Sequence, residues 1–192
     1  MINKKLFQKI KEDLAGFQQE REVIIGASRQ ILQNSKKAIF AGHQGELKKA
    51  EEHLQLAEAA IDELLRKYQQ DNRLRFEGSY KAGLEEYVEA KFFVAVLKNE
   101  EIKEIANPTI GAEEYLGGLC DVTGELVRQA VLLATKDQIK DIERFKNIIE
   151  EIINFMLDLY LTGYLRQKFD DAKRNLQRLE QIMYDLKIKR GV

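Results

Sequence analysis

Pro108 is the only proline among the 192 residues of this chain. Proline breaks the hydrogen-bond ladder of a helix, so a chain with one proline is free to form long, uninterrupted helices. The apolar residues have the matching period, because they recur at steps of three, four or seven and so share one helical face. One seam comprises Ile10, Phe17, Ile24, Ile31 and Ala38, with Leu6, Leu14 and Phe40 beside it; a second comprises Leu47, Ala50, Leu54, Ala57, Ile61, Leu64 and Tyr68.

The two seams are separated by the segment Gly42-His43-Gln44-Gly45. Because glycine favours turns, this break predicts a long antiparallel hairpin of helices. Residues 100–111 are predicted to form a loop, since Pro108 disfavours helix at the residue before it. The predicted helices cover residues 4–41, 46–70, 80–99, 112–135, 139–159 and 165–186.

Gly117 and Gly118 lie inside the helix predicted over 112–135. Each glycine costs a helix interior about 1 kcal/mol, so the pair indicates a place where another backbone comes close. No apolar segment alternates with the period of a strand. We therefore predict an all-α protein, a bundle of six to seven long antiparallel helices in a single domain spanning residues 1–192.

The composition excludes several classes of protein. Hydrophobic residues make up 44% of the chain, too many for a disordered tail, and the lone Cys120 excludes a disulfide framework or a Cys-rich zinc site. No apolar stretch reaches the roughly 20 residues of a membrane span, and the N-terminus has no signal core. A net charge of −1 excludes binding of nucleic acid through bulk positive charge. We expect a cytoplasmic protein without a membrane partner.

Two carboxylates occupy an unusual position in the helix predicted over 80–99. Glu86 and Glu89 share one helical stripe with Phe93 and Val96, so the acidic face continues into an apolar one. A buried carboxylate without a partner is costly, and such a face needs a cation or a water-filled cleft. The alternative is that both acids lie at a solvated helix end.

A second pair of acids follows in the next helix. Asp121 and Glu125 are four residues apart and therefore also share a face. Two helices that each present two carboxylates can form an all-oxygen site, which suits Mg²⁺ or Mn²⁺. Arg128 follows Glu125 by three residues and is either its ion-pair partner or a contact for a substrate phosphate.

Other catalytic chemistries lack the residues that they need. The two histidines, His43 and His53, have neither ligand nor relay spacing, and His43 falls in the predicted hinge. A di-iron bundle requires Glu-x-x-His motifs, and a metal-independent nuclease usually requires a histidine as acid and base. The sequence also has no P-loop or nucleophile elbow. Carboxylate–metal chemistry is the enzymatic mechanism that the residues support.

Basic residues are grouped locally despite the neutral balance. Arg21, Arg29, Lys36 and Lys37 recur along the first helix, and a second group mixes basic with aromatic residues just before Glu86. Positive charge with aromatic rings beside a metal site suits a single-stranded nucleic acid, whereas the alternative is a solvated face. The second group comprises Arg66, Lys67, Tyr68, Arg73, Arg75, Phe76, Tyr80 and Lys81.

Several blocks of this sequence resemble the translin family, and within it the branch of translin-associated factor X (TRAX). The most specific blocks are Glu86-Tyr87-Val88-Glu89-Ala90 and Asp121-Val122-Thr123-Gly124-Glu125-Leu126-Val127-Arg128. Supporting blocks are Ser28–Ile31, Ser35–Phe40, Gly83–Glu85, Tyr115–Cys120 and Tyr184–Gly191. The resemblance implies a seven-helix subunit that assembles into a closed, barrel-like octamer. It also implies a Mg²⁺-dependent endoribonuclease whose acidic metal-site residues map onto Glu86, Glu89, Asp121 and Glu125.

We therefore predict a metal-dependent endoribonuclease that cleaves single-stranded RNA and also binds single-stranded DNA. We expect it to be a homo-oligomer, namely an octamer. Mg²⁺ or Mn²⁺ would be held by the four acids, while Arg128 and Lys81 offset charge on the scissile phosphate. The alternatives are a non-catalytic, translin-like nucleic-acid-binding ring and a structural coiled-coil adaptor. The predicted nucleic-acid-binding residues are Arg29, Lys36, Lys37, Arg73, Arg75 and Lys81.

Overall fold

The computed structural model describes residues 3–68, 73–136 and 138–190, and these ranges form helices joined by loops, without a strand. The all-α prediction is confirmed. The helices are α1 (Lys4–His43), α2 (Leu47–Lys67), α3 (Arg73–Phe76), α4 (Gly78–Leu97), α5 (Ala112–Ala134), α6 (Ile139–Leu157) and α7 (Gly163–Arg190). Residues 69 and 70, the predicted end of the second helix, and Gly191 of the closing block lie outside the described residues. The sequence did not predict α3, whose single turn is too short to show a period.

The helices α1 and α2 form the predicted hairpin. Asn3 begins α1, because its Oδ1 accepts a hydrogen bond from the backbone N–H of Lys5 at 2.9 Å. The turn depends on Gly45, whose φ of +78° is left-handed. The predicted break at Gly42 and His43 is wrong, since both residues are helical. Gly42 instead lets α1 approach α4, where an added Cβ would lie 3.0 Å from a ring carbon of Phe93.

The apolar seam of α1 is buried over only part of its length. Ile24, Ile31 and Ala38 belong to the core, whereas no residue from 3 to 23 is buried in the single chain. Leu6, Ile10, Leu14 and Phe17 are each about half exposed, although they continue the same seam. This part of α1 therefore presents an unpartnered apolar face, which we call the α1 apolar face.

The helices α4 and α5 lie at the centre of the bundle. The neighbours of α4 are α1, α2, α3 and α5, while α5 contacts α4, α6 and α7. An added Cβ at Gly118 would lie 2.6 Å from Val88 Cγ1 and 3.0 Å from the backbone nitrogen of Glu89. The predicted close approach at the glycine pair is thus confirmed, and it brings the face of α4 that carries Glu89 against α5.

The predicted loop over 100–111 is confirmed, and it is tied to the start of α5. The Tyr115 hydroxyl donates to the carbonyl of Ile105 and accepts from its N–H, at 2.9 and 2.7 Å. The two helices α6 and α7 then cover the outer side of α5 with apolar faces that include Phe145 and Phe169. None of the described helices is both long and apolar enough to span a membrane.

Candidate active site at the α4–α5 junction

The four acids singled out from the sequence face one another across the junction of α4 and α5. Glu86 and Glu89 come from α4, and Asp121 and Glu125 come from α5. Burial raises the pKa of Glu86, and the charges of Asp121 and Glu125 raise it further, against the opposing charge of Lys36. We call these four carboxylates the acid cluster.

Glu89 is the most confined member of the acid cluster. Its residue is 8% exposed, and no described residue gives its carboxylate a hydrogen bond or an ion pair. Burial raises the pKa of Glu89 to about 9, and the charges of Asp121, Glu86 and Glu125 act in the same direction. A carboxylate in this environment is short of positive charge.

Asp121 already has a cationic partner. The ammonium group of Lys168, on α7, donates to Asp121 Oδ2 and lies 2.9 Å from Glu85 Oε1. Burial raises the pKa of Asp121, although the hydrogen bond and charge of Lys168 oppose the rise. The Tyr164 hydroxyl donates to Glu85 Oε1 at 2.6 Å, so α7 contributes two side chains beside the cluster.

Glu125 is held by residues at the other end of the cluster. The Nε2 atom of His43 contacts Glu125 Oε2, and its Nδ1 lies 2.8 Å from Gln129 Oε1. Arg128 Nη1 lies 3.5 Å from the same oxygen of Glu125. Burial alone would raise the pKa of Glu125, but the hydrogen bond and charge of His43, followed by those of Arg128, lower it.

The donor chemistry of the acid cluster fits a hard divalent cation. All four side chains are carboxylates, and Glu89 lacks the positive charge that would offset its burial. Within the described ranges, however, no three His, Cys, Asp or Glu side chains are arranged to hold one metal ion. In the arrangement present, Asp121 directs an oxygen toward Lys168 and Glu125 directs one toward His43.

Comparison with known proteins identifies the family. The model of the translin family matches residues 19–190, which covers most of the chain and the whole acid cluster. The chain belongs to the translin family. Among its relatives, the translin-associated protein X homologue of Schizosaccharomyces pombe is 28% identical over 199 residues, covering 93% of this chain and 85% of the relative. Gallus gallus translin is 26% identical over 156 residues, covering 73% and 68%.

Solved structures share the fold of this translin-family chain. A crystal structure of AfC3PO superposes with a TM-score of 0.87 at 23% identity, covering 97% of this chain and 99% of that one. The structure of an AfC3PO–duplex RNA complex gives a TM-score of 0.84 at 23% identity, covering 96% and 97%. At this identity the likeness establishes the all-α translin fold.

The basic residues predicted to bind nucleic acid lie in two places on this translin-family chain. Arg29, Lys36 and Lys37 are exposed on α1, and Lys36 Nζ lies 4.0 Å from Glu86 Oε2. Arg73 and Arg75 lie on α3, where Arg73 forms an ion pair with Glu20 and its guanidinium lies 5.6 Å from the ring centre of Phe17. Of these residues, the structure therefore shows only Lys36 beside the acid cluster.

The two residues predicted to offset phosphate charge differ in position. Arg128 lies at the edge of the acid cluster with its side chain 55% exposed. Lys81 lies 2.7 Å from Glu113 Oε2 and 3.6 Å from Glu114 Oε1, away from the cluster. Its hydrogen bond to Glu113 raises the pKa of Lys81.

Four residues beside the acid cluster were not among the site residues predicted from the sequence. Lys168 and Tyr164 are four residues apart on α7, a spacing that could have been read as a polar pair on one face. Glu85 precedes Glu86 but points toward α5 and α7 rather than along the stripe of Glu89. His43, which the sequence analysis set aside for lack of ligand or relay spacing, lies beside the cluster, because its side chain is 4% exposed and contacts Glu125.

Proposed function

We propose that this translin-family chain is a metal-dependent endoribonuclease that cleaves single-stranded RNA. The observation that carries the proposal is the convergence of four carboxylates at the α4–α5 junction, with Glu89 buried and without a partner. The similarity to the translin-associated protein X homologue supports it, and so does the fold shared with an AfC3PO–duplex RNA complex.

The acids Glu86, Glu89, Asp121 and Glu125 would hold Mg²⁺ or Mn²⁺. When bound, such an ion supplies an activated water and stabilises charge on the phosphate and the leaving oxygen. The imidazole of His43 orients Glu125, because it contacts that carboxylate while its ring packs 4.6 Å from the ring of Phe93. The exposed guanidinium of Arg128 is placed to contact a phosphate at the edge of the site.

The basic residues of α1 would hold the RNA backbone against the acid cluster. Lys36 bridges the two, since its ammonium lies beside Glu86 while its side chain is 61% exposed. Affinity that comes from such phosphate contacts falls with salt and does not distinguish RNA from DNA, so we expect single-stranded DNA to bind as well. Arg73 and Arg75 would extend the surface along α3, and Lys81 would contribute only after leaving Glu113.

The α1 apolar face indicates self-association. Leu6, Ile10, Leu14 and Phe17 form an exposed apolar strip that a lone chain leaves in water. We propose a homo-octamer with closed symmetry, in which this strip is covered by neighbouring copies. Light scattering at micromolar concentration measures the mass directly, and a monomeric mass would contradict the proposal.

A non-catalytic RNA-binding ring is the second candidate. The contacts of Lys168 with Asp121 and of His43 with Glu125 favour it, because they stabilise these acids without a metal. In that case the acid cluster would serve the packing of α4 against α5, and RNA would bind through the basic residues alone.

A cleavage assay separates the two candidates. End-labelled single-stranded RNA and a duplex of the same sequence are incubated with the full chain and Mg²⁺, with and without EDTA. We expect cleavage of the single strand that EDTA abolishes, and a loss of at least about 100-fold for E89Q, as removal of a transition-state contact typically gives. The matched control is E151Q, which neutralises an exposed acid on α6 outside the cluster. Binding of RNA without cleavage would favour the second candidate, whereas full cleavage by E89Q would contradict the assignment of the acid cluster as the active site.

A further inference from the structure

Lys168 makes two contacts that differ in their relation to the acid cluster. Its ammonium group donates to Asp121, a member of the cluster, and lies 2.9 Å from Glu85, which is not a member. The side chain is 18% exposed, so these acids are its main compensation for lost hydration. Asp121 and Glu85 therefore share one ammonium group.

The contact with Glu85 is built by two further residues. The Tyr164 hydroxyl donates to Glu85 Oε1 at 2.6 Å, and the ring of Tyr164 lies 5.1 Å from Lys168 Nζ, within range of a cation–π contact. Gly117 leaves the space that the Glu85 carboxylate fills, because a Cβ at this position would overlap it. Glu85 is thus held where Lys168 can use it without Asp121.

An ammonium group and a divalent cation on the same carboxylate repel each other, so metal bound at Asp121 favours release of Lys168 from it. We propose that Lys168 is a built-in counter-cation that occupies Asp121 in the metal-free chain and retains only Glu85 when the acid cluster takes up a divalent cation. This inference rests on the proposed function, because it assumes that the cluster binds metal. In this inference Lys168, on α7, sets the metal affinity of the cluster. Lys168 and Glu85 are therefore positioning residues, because they act on the metal only through Asp121.

The two contacts predict opposite effects on metal affinity. Removing Lys168 frees Asp121, and we expect K168M to bind Mn²⁺ roughly tenfold more tightly. Removing the charge of Glu85 leaves Lys168 on Asp121 alone, and we expect E85Q to bind Mn²⁺ several-fold more weakly. Long-range attraction would give the same signs, since one change removes a positive charge and the other a negative charge.

A double-mutant cycle and a charge-neutral variant distinguish competition from long-range attraction. In K168M/E85Q no ammonium remains to compete, so E85Q should have little effect in the K168M background, whereas long-range effects add. G117A changes no charge but displaces the Glu85 carboxylate, so it should weaken Mn²⁺ binding as E85Q does, and only while Lys168 is present. K173M is the matched control, because Lys173 is also on α7 but pairs with Asp170 at 2.6 Å.

The experiment is calorimetric titration of Mn²⁺ into the full chain without RNA, with circular dichroism to confirm that each variant is folded. The inference is supported if K168M binds Mn²⁺ more tightly and if E85Q and G117A bind it more weakly. It also requires that neither E85Q nor G117A changes Mn²⁺ affinity in the K168M background. Additive effects, or equal changes in K168M and K173M, would overturn it while leaving the metal site intact. If wild type and E89Q bind Mn²⁺ equally weakly, both this inference and the proposed function fail.

Discussion

The two halves of the acid cluster are compensated differently. On α5, Asp121 contacts Lys168, and Glu125 contacts His43 and lies near Arg128. On α4, Glu86 has only the distant ammonium of Lys36 at 4.0 Å, and Glu89 has no partner among the described residues. The α5 acids are part of a polar network that supports the fold, whereas the chain gives the α4 acids no close cation that would balance their charge when they ionise.

The difference follows from what each helix faces. The acid-bearing side of α5 is met by α7 and by the end of α1, which supply polar side chains. The stripe of α4 continues from Glu89 into Phe93 and Val96, both buried, so no side chain there can supply a positive charge. Charge left without compensation in a folded chain costs stability, and it is retained where a ligand compensates it.

The largest expected effect is a difference in the pH dependence of stability. A carboxyl whose pKa is about 9 when folded and 4.5 when unfolded keeps its proton in the folded chain only, so its stability contribution is present below pH 4.5 and lost as pH rises toward 9. Metal-free wild type should lose up to about 1.4 kcal/mol per pH unit relative to E89Q in this window. Urea unfolding of both proteins at pH 5 to 9 measures it, and parallel curves would mean that Glu89 ionises normally.

At a fixed pH of 7, the two halves should respond oppositely to neutralisation. E89Q removes an unbalanced buried acid and should raise the free energy of unfolding of the metal-free chain by up to ~3 kcal/mol. E125Q replaces the charged hydrogen-bond partner of the buried His43 side chain with a neutral one, and because the pKa of Glu125 is lowered by folding, it should lower the free energy of unfolding by about 1–2 kcal/mol. Urea denaturation in EDTA provides the comparison. If both variants change the free energy of unfolding in the same direction, the acids of α4 and α5 are compensated alike.

How far the sequence predicts this arrangement depends on the range of the interaction. Burial with a helical period is local, so the seams of α1, α2, α6 and α7 could be recognised, and the four acids stood out because two of them interrupt an apolar stripe. The partners Lys168 and His43 lie 47 and 82 residues from the acids that they contact. Nothing in their neighbouring residues encodes that contact, because it depends on how α7 and α1 pack against α5.

The close packing of α4 against α5 provides a smaller effect that acts on both halves together. A Cβ at Gly118 would lie 2.6 Å from Val88 Cγ1 and close to the α4 backbone, so G118A should destabilise by about 1–2 kcal/mol through overpacking. G124A is the matched control on the same helix, since its Cβ would meet only Asn175 Nδ2 at 3.5 Å. In G124A the higher helix propensity of alanine should raise the free energy of unfolding by up to about 1 kcal/mol. Thermal unfolding measures both variants, and an equal loss of melting temperature in G118A and G124A would contradict the close contact at Gly118.

The smallest effect on stability should come from Lys36, the cation nearest to the α4 acids. An exposed ion pair at 4.0 Å contributes little, so K36Q should change the free energy of unfolding by less than about 0.5 kcal/mol. RNA affinity should fall nonetheless, and the slope of log affinity against log salt should shrink by about one, because one phosphate contact is lost. The matched control is K140Q, which removes an exposed lysine on α6. Fluorescence anisotropy with labelled single-stranded RNA measures both slopes. If the two variants weaken RNA binding equally, only the net charge of the chain affects RNA affinity. A loss confined to K36Q would indicate that RNA lies beside Glu86 and Glu89, the uncompensated half of the cluster. A metal ion held by these acids would then lie next to a phosphate of the RNA.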